Sequence, residues 1–267
     1  MAGRELEGKV AIVAGGSLGI GRGASVRLAQ AGAKVVIGAR RPEPIESLVA
    51  EIGQSGGEAI GVPVDLSHAG EAKSLIEAAV ERFGGVDILV NSQGIQTYGT
   101  VEETTEELWN ETIAVNLTSM FFTAKYAIPE MRKRGGGSIV NVSSVQGLST
   151  QTQVAAYSTS KAGIIGLTRT IAVDYAKENI RANSVLPASV DTPMLRHSAD
   201  LFKGDDTLEA TLDAWGRQHP MGRIGQPEEI GDLIVFLAGP RSAWMTGAEI
   251  KIDGGMMASL GVTLPED

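Results

Sequence analysis

The stretch "VAIVAGGSLGIG", residues 10–21, decides the fold. Val10 to Ala14 run without a polar interruption, as suits a strand buried on both faces rather than one with a wet side. Glycines follow at positions 15, 16, 19 and 21, and a helical pattern begins among them. Gly15 can adopt a backbone geometry closed to other residues, Gly19 leaves room for a pyrophosphate against the main chain, and Gly21 lets helix and strand pack closely. The helix N-terminus then presents unpaired N–H groups to an anion. A glycine turn alone has a purely structural explanation, so the neighbouring chain has to carry the rest.

It repeats the same alternation. Short β-branched runs recur at "KVVIGA" (34–39), "AIGVPVD" (59–65), "DILVNS" (87–92), "SIVNVSS" (138–144), "IRANSVLP" (180–187) and "AEIKID" (248–253), separated mostly by helical patterns of ten or more residues. Glycine turns in "QSGGE", "RFGGVD" and "KRGGGS" close helices before strands. The expectation is an α/β fold: one Rossmann-type, doubly wound parallel sheet of seven strands with helices on both faces, in a single domain over residues 1–267. Residues 192–226 form a longer helical excursion after the sixth strand. Ligands in such sheets sit beyond the carboxyl ends of the strands, so this excursion reads as a substrate lid.

Composition narrows the function. The 267 residues are 43% hydrophobic and 21% charged, which suits a globular protein. The net charge of -9 disfavours a nucleic-acid partner and a polyanionic substrate. There is no cysteine, which removes disulfides, thiolate metal sites and cysteine nucleophiles. His68, His197 and His219 lie in unrelated segments, so no metal site is expected. No apolar run approaches the roughly 20 residues that span a bilayer, and "MAGRELEGKV" lacks the apolar centre of a signal peptide, so no membrane association and a cytoplasmic location are expected.

Five motifs occur in order after this frame is set: the G-x-x-x-G-x-G turn, "NSQG" (91–94), the asparagine of "AVNLTS", "NVSS" (141–144) and "YSTSK" (157–161). Together they resemble the short-chain dehydrogenase/reductase family, over nearly the whole chain to "DGG" (253–255). The resemblance implies an NAD(P)(H) cofactor, hydride exchange with a carbonyl or secondary alcohol, and a homotetramer built through the helices around Asn116 and Tyr157 and the last helix and strand. The chain departs from the family pattern in three places: Ala14 for a threonine, Ser92-Gln93 within the usual N-N-A-G, and Ala188 where a glycine commonly follows Pro187.

Tyr157 and Lys161 are four residues apart, so a helix stacks them on one face. An ammonium and a positive nicotinamide ring both favour the phenolate, which is expected to bring the Tyr157 pKa toward working pH. The resemblance gives Lys161 a second task on the nicotinamide ribose. It also selects Ser144 over Ser143 as the serine that holds the substrate oxygen, and strand alternation points Ser143 the other way. Asn116 is an unfavourable choice within an apolar helix pattern, and by resemblance anchors a water that relays protons to Lys161.

The same resemblance places Gly15, Ser17, Gly19, Ile20, Gly21, Asp65, Leu66, Asn91, Gly94, Pro187, Val190 and Thr192 around the cofactor, with Tyr157 and Lys161. Ala39 stands where an NAD enzyme would carry a ribose-binding acid, and Arg40 and Arg41 follow, which favours NADP(H) over NAD(H). Substrate contacts are expected from Ser144, Gln146, Gln153, Tyr157, Ser189, Met194 and Trp215, with help from Gln96 and Tyr98. Amides and hydroxyls of this kind suit an aldose, polyol or hydroxyketone. A 3-oxoacyl group on an acidic carrier protein is the alternative, with Arg132, Lys133 and Arg134 as its dock; a ketone or steroid is another. A protein that merely senses NADP(H) would be expected to lack Tyr157 or Lys161, and both are present.

Overall fold

The apolar run at Val10–Ala14 becomes β1, the third strand in a seven-stranded sheet of order β3-β2-β1-β4-β5-β6-β7. This computed structural model describes residues 4–260, so both ends of the expected domain lie outside the described residues. The other strands are Lys34–Ala39 (β2), Glu58–Pro63 (β3), Ile88–Asn91 (β4), Gly137–Val142 (β5), Ile180–Pro187 (β6) and Glu249–Ile252 (β7). All pair in parallel. The strand order reverses between β1 and β4, the point at which a doubly wound sheet opens a crevice.

Alternate residues of β1 serve opposite faces. Ala11 and Val13 join one core with Leu28 of Gly19–Gln30 (α1), Leu48 of Pro42–Gln54 (α2) and Ile234 of Pro227–Ala238 (α9). Val10, Ile12 and Ala14 join the other with Leu75 of Ala69–Phe83 (α3), Met131 of Ser119–Lys133 (α5) and Ile171 of Ala155–Tyr175 (α6). Both faces are dry, which is why the strand sequences are continuously apolar.

Three further α-helices lie among the described residues: Glu106–Ile113 (α4), Pro193–Phe202 (α7) and Leu208–Gly216 (α8). The expected excursion at 192–226 therefore consists of α7, α8 and the turns that return to α9. Between α4 and α5 the chain makes a π-helical turn, Ala114–Thr118, with Asn116 at its middle. The apolar α9 spends Ile230, Ile234 and Leu237 in the core, and Met256 and Met257 are half-buried.

Several expected strands run too far at their carboxyl ends. Gly15, Val64, Asp65, Ser92, Ser143 and Ser144 follow apolar runs but have left the ladder. All of them but Ser144 line the crevice.

Candidate active site

A cleft of about 360 Å³ opens at these strand ends. Gly15 after β1, Ala39 to Arg41 at and after the end of β2, Val64 to Ser67 after β3 and Ser92 to Gly94 after β4 line it, together with Ser143, Tyr157, Lys161 and Thr192 to Met194. The glycine turn is tight for stated reasons. Gly15 has φ +74°, and a Cβ there would meet the Gln93 nitrogen at 2.5 Å; one on Gly21 would lie 2.0 Å from the Gly15 carbonyl oxygen. The N-terminus of α1 has neither a side-chain cap nor an acid in its first turn, whereas Thr105, Thr192 and Thr207 cap α4, α7 and α8. Unclaimed N–H groups beside a glycine cradle fit a pyrophosphate.

Arg40 and Arg41 are exposed at the rim of the cleft. Burial pushes the Asp65 carboxyl up, but hydrogen bonds from the Ser67 side chain and backbone, with the Arg40 charge nearby, outweigh it and leave the group below the usual carboxylate range.

Tyr157 and Lys161 continue the buried stripe of α6 that holds Ile164, Ile165, Thr168 and Ile171, so both are withdrawn from water, at 7% and 6% exposure. Lys161 Nζ lies 5.5 Å from the Tyr157 ring centroid and donates to the Val142 carbonyl at 3.2 Å. Burial lowers the Lys161 pKa from 10.5 to about 8. The tyrosine moves opposite to the sequence expectation: burial raises its pKa from 10.0 to about 12, with the Ser144 hydrogen bond pulling back part of the way and Tyr98 adding to the rise. In the chain alone, desolvation outweighs what the lysine offers.

The two serines divide their work. Ser143 donates to the Lys161 carbonyl at 2.8 Å and pins α6 to the end of β5. Ser144 pairs with Tyr157, accepts from the Gln146 backbone at 3.1 Å and reaches the Pro187 carbonyl at 3.4 Å. Asn116 is fully buried; its side chain accepts from Ile95 N–H at 2.8 Å and donates to the Ile95 carbonyl at 2.9 Å and to Ser160 at 3.0 Å. An amide that grips both backbone groups of Ile95 fixes the loop after β4 to the π turn.

Some expected contacts lie elsewhere. The Asn91 side chain is consumed behind the sheet, donating to Asn141 at 2.8 Å and accepting from Thr123 at 2.7 Å, and does not line the cleft. Val190 is buried and bridged to Gly225, Pro187 meets the site through its carbonyl, and Gly21 acts through packing. Trp215 presents its carbonyl to His219, and Gln153, at φ +60°, supplies a carbonyl to Gly99. Ser189 N–H points at His219 Nε2, 3.4 Å away. Gln146 joins Gln151 and Ser158 in a polar rim. Of the substrate candidates, Met194 and Tyr157 line the cleft itself.

Ser119 and Ser160 were missed. Ser119 accepts from Gln93 at 3.0 Å, and Ser160 donates to the Tyr157 carbonyl at 2.6 Å. Their signal was a small polar residue three positions beyond Asn116 and Tyr157 on otherwise apolar helix faces.

Residues 14–257 match the family model described as Enoyl-(Acyl carrier protein) reductase. The chain belongs to the short-chain dehydrogenase/reductase family. It is 42% identical over 252 residues to an uncharacterized oxidoreductase of Thermotoga maritima, covering 94% of this chain and 98% of that protein. It is 38% identical to the 2,5-dichloro-2,5-cyclohexadiene-1,4-diol dehydrogenase LinX of Sphingobium indicum, over 96% and 98% of the two chains. The ligand-free aldohexose dehydrogenase of Thermoplasma acidophilum superposes with TM-score 0.89 at 36% identity, over 99% of this chain and all of that one. The protein is an oxidoreductase acting on alcohols and carbonyls, in a family that uses NAD(P)(H). No helix among the described residues is long and apolar enough to cross a membrane.

Proposed function

We propose that this enzyme interconverts a secondary alcohol and a carbonyl on a neutral, polyhydroxylated substrate, an aldose, polyol or hydroxyketone, with NADP(H) preferred to NAD(H). The observation that carries the substrate reading is the uncharged polar rim beside Tyr157: Ser158 reaches Gln146, Gln146 reaches Gln151, and Thr150 closes on Ser158. Amides and hydroxyls recognise hydroxyl groups by exchanging hydrogen bonds, and they offer a carboxylate no balancing charge. The similarity to an aldohexose dehydrogenase and to a cyclohexadienediol dehydrogenase supports the same class. The basic cluster that would dock an acidic carrier protein is spent: Arg132 pairs with Glu178, Lys133 with Glu130 and Arg134 with Asp87.

A nicotinamide dinucleotide held in this cleft would supply or accept the hydride. Gly15, Ser17, Gly19 and Ile20 would hold its pyrophosphate side, Asp65, Leu66 and Gly94 its adenosine and ribose side, and Arg40 and Arg41 a 2′-phosphate. Tyr157 gives its phenolic proton to the carbonyl oxygen in reduction and takes it from the hydroxyl in oxidation. Ser144 holds that oxygen as charge develops on it. Lys161 sets the charge beside Tyr157, and Asn116 keeps the loop that carries Gly94 in register. Exposed Phe121 on α5 and Val173 on α6 suit a homotetramer, to be checked by solution scattering at micromolar concentration, where a monomer mass would contradict it.

Initial rates over aldoses, polyols, β-ketoesters and cyclic ketones, each with both cofactors, test this reading. Turnover confined to polyhydroxy compounds supports it. Preference for β-ketoesters or cyclic ketones would discard the substrate class while leaving the oxidoreductase assignment standing.

A further inference from the structure

Tyr98 stands outside the cleft lining, on a segment tied to the floor of the site, and its side chain touches the cover. Its segment has no regular structure but is clamped at both ends. Asn116 holds both backbone groups of Ile95, and Gly99 donates to the Gln153 carbonyl at 2.8 Å while accepting from Ala155 N–H at 3.2 Å. Tyr98 is therefore fixed to α6 and the π turn. Its phenol donates to Ser198 of α7 at 2.6 Å, and its ring meets Phe202 edge-on, centroids 4.8 Å apart. Ser198 passes its own proton to the Met194 carbonyl at 3.0 Å, so the bond from Tyr98 is fully matched.

The helix it holds is thinly attached. Ser198 and Ala199 are the buried residues of α7, whereas Leu201 and Phe202 are more than half exposed. The start of α7 lies on the phosphate turn, where a Cβ on Gly19 would meet Thr192 Cγ2 at 2.9 Å, and Thr192, Pro193 and Met194 line the cleft. One end of the helix thus covers the place where a pyrophosphate fits, and Tyr98 grips the other. Lifting α7 breaks the Tyr98 to Ser198 bond and the contact with Phe202 together.

We propose that Tyr98 is a latch: a positioning residue that holds α7 down over the cleft and so limits how fast the nucleotide leaves. The proposal rests on the oxidoreductase reading only for the identity of that nucleotide. Product release governs turnover in many enzymes with such covers, so a latch on α7 also bears on kcat.

The test uses the full chain with Tyr98→Phe, which keeps the ring and removes the hydroxyl, with Ser198→Ala, and with both. Dissociation of NADPH and of NADH is followed by the fluorescence of the reduced nicotinamide after a chase, with no substrate present. Trypsin cleavage after Lys203, in the turn that follows α7, reports opening independently of any nucleotide. Each single variant should speed dissociation and cleavage about 3- to 10-fold, the worth of one hydrogen bond. The double variant should go no further than the singles, because both remove the same bond. Dissociation and cleavage within twofold of wild type in both singles would overturn the latch, as would effects that multiply in the double. A fall in kcat with unchanged dissociation would also overturn it, assigning Tyr98 to the chemistry at Tyr157. If the wild type binds neither nucleotide, the cofactor reading fails and the cleavage rates still decide the latch.

Discussion

Lys161 Nζ and the Tyr157 ring stand 5.5 Å apart, both buried, and burial moves their pKa values toward their neutral forms from opposite sides, to about 8 and about 12. An acid that keeps its proton and a base that sheds its charge are both displaced by the same desolvation. The pair is costly to the fold and useful to the site.

That cost is measurable. Between pH 8 and 10.5 the unfolded chain holds the Lys161 proton that the folded chain has released, so stability rises with pH across this window. Below pH 8 the buried charge opposes folding in full. Lys161→Met should therefore raise the unfolding free energy at pH 7 by on the order of a few kcal/mol, an advantage that fades between pH 8 and 10.5. Tyr157 acts with the other sign: between pH 10 and 12 the unfolded chain loses its phenolic proton first, and stability falls. Urea titrations of wild type and variant across pH 7–11 check both slopes.

Tyr157→Phe removes the proton that the proposed mechanism moves. Turnover should fall by about 10² to 10⁴, the usual worth of general acid and base catalysis, while nucleotide binding stays within threefold. Calorimetric titration with NADPH beside steady-state rates separates the two; unchanged kcat would remove Tyr157 from the chemistry.

Arg40→Ala with Arg41→Ala addresses the choice of cofactor. Charge-assisted bonds to a phosphate contribute about 1.5–3 kcal/mol, so NADPH affinity should drop roughly 10- to 100-fold while NADH affinity holds. Equal loss for both nucleotides would show that the arginines do not read the 2′-phosphate.

Thr168 tests the support behind the site. Its hydroxyl accepts from Asn141 at 2.9 Å and from Ser184 at 2.8 Å, tying α6 to β5 and β6. Thr168→Val keeps the shape and orphans both donors, which should cost about 2–4 kcal/mol. Thermal unfolding reads that loss, and kcat should stay within about threefold, because Thr168 touches no reacting group.

The sequence by itself determined the layers of this protein. Val10 to Ala14 could only be a strand covered on both sides, and the glycines at 15, 19 and 21 could only serve a tight turn into a helix, because both follow from local sterics and burial. The spacing of Tyr157 and Lys161 likewise fixed them to one face of α6. What tertiary structure decided was where side chains with several available partners would go. Asn91 reads like a cleft residue beside Gly94, yet Asn141 and Thr123, distant in sequence, claim its amide. Ser143 and Ser144 are adjacent, and strand alternation sends them to different faces, but the partners they meet, the carbonyls of Lys161 and Pro187, come from packing. The direction of the Tyr157 shift, and the hold of Tyr98 on α7, depend on burial and distances set by the packing of elements a hundred residues apart.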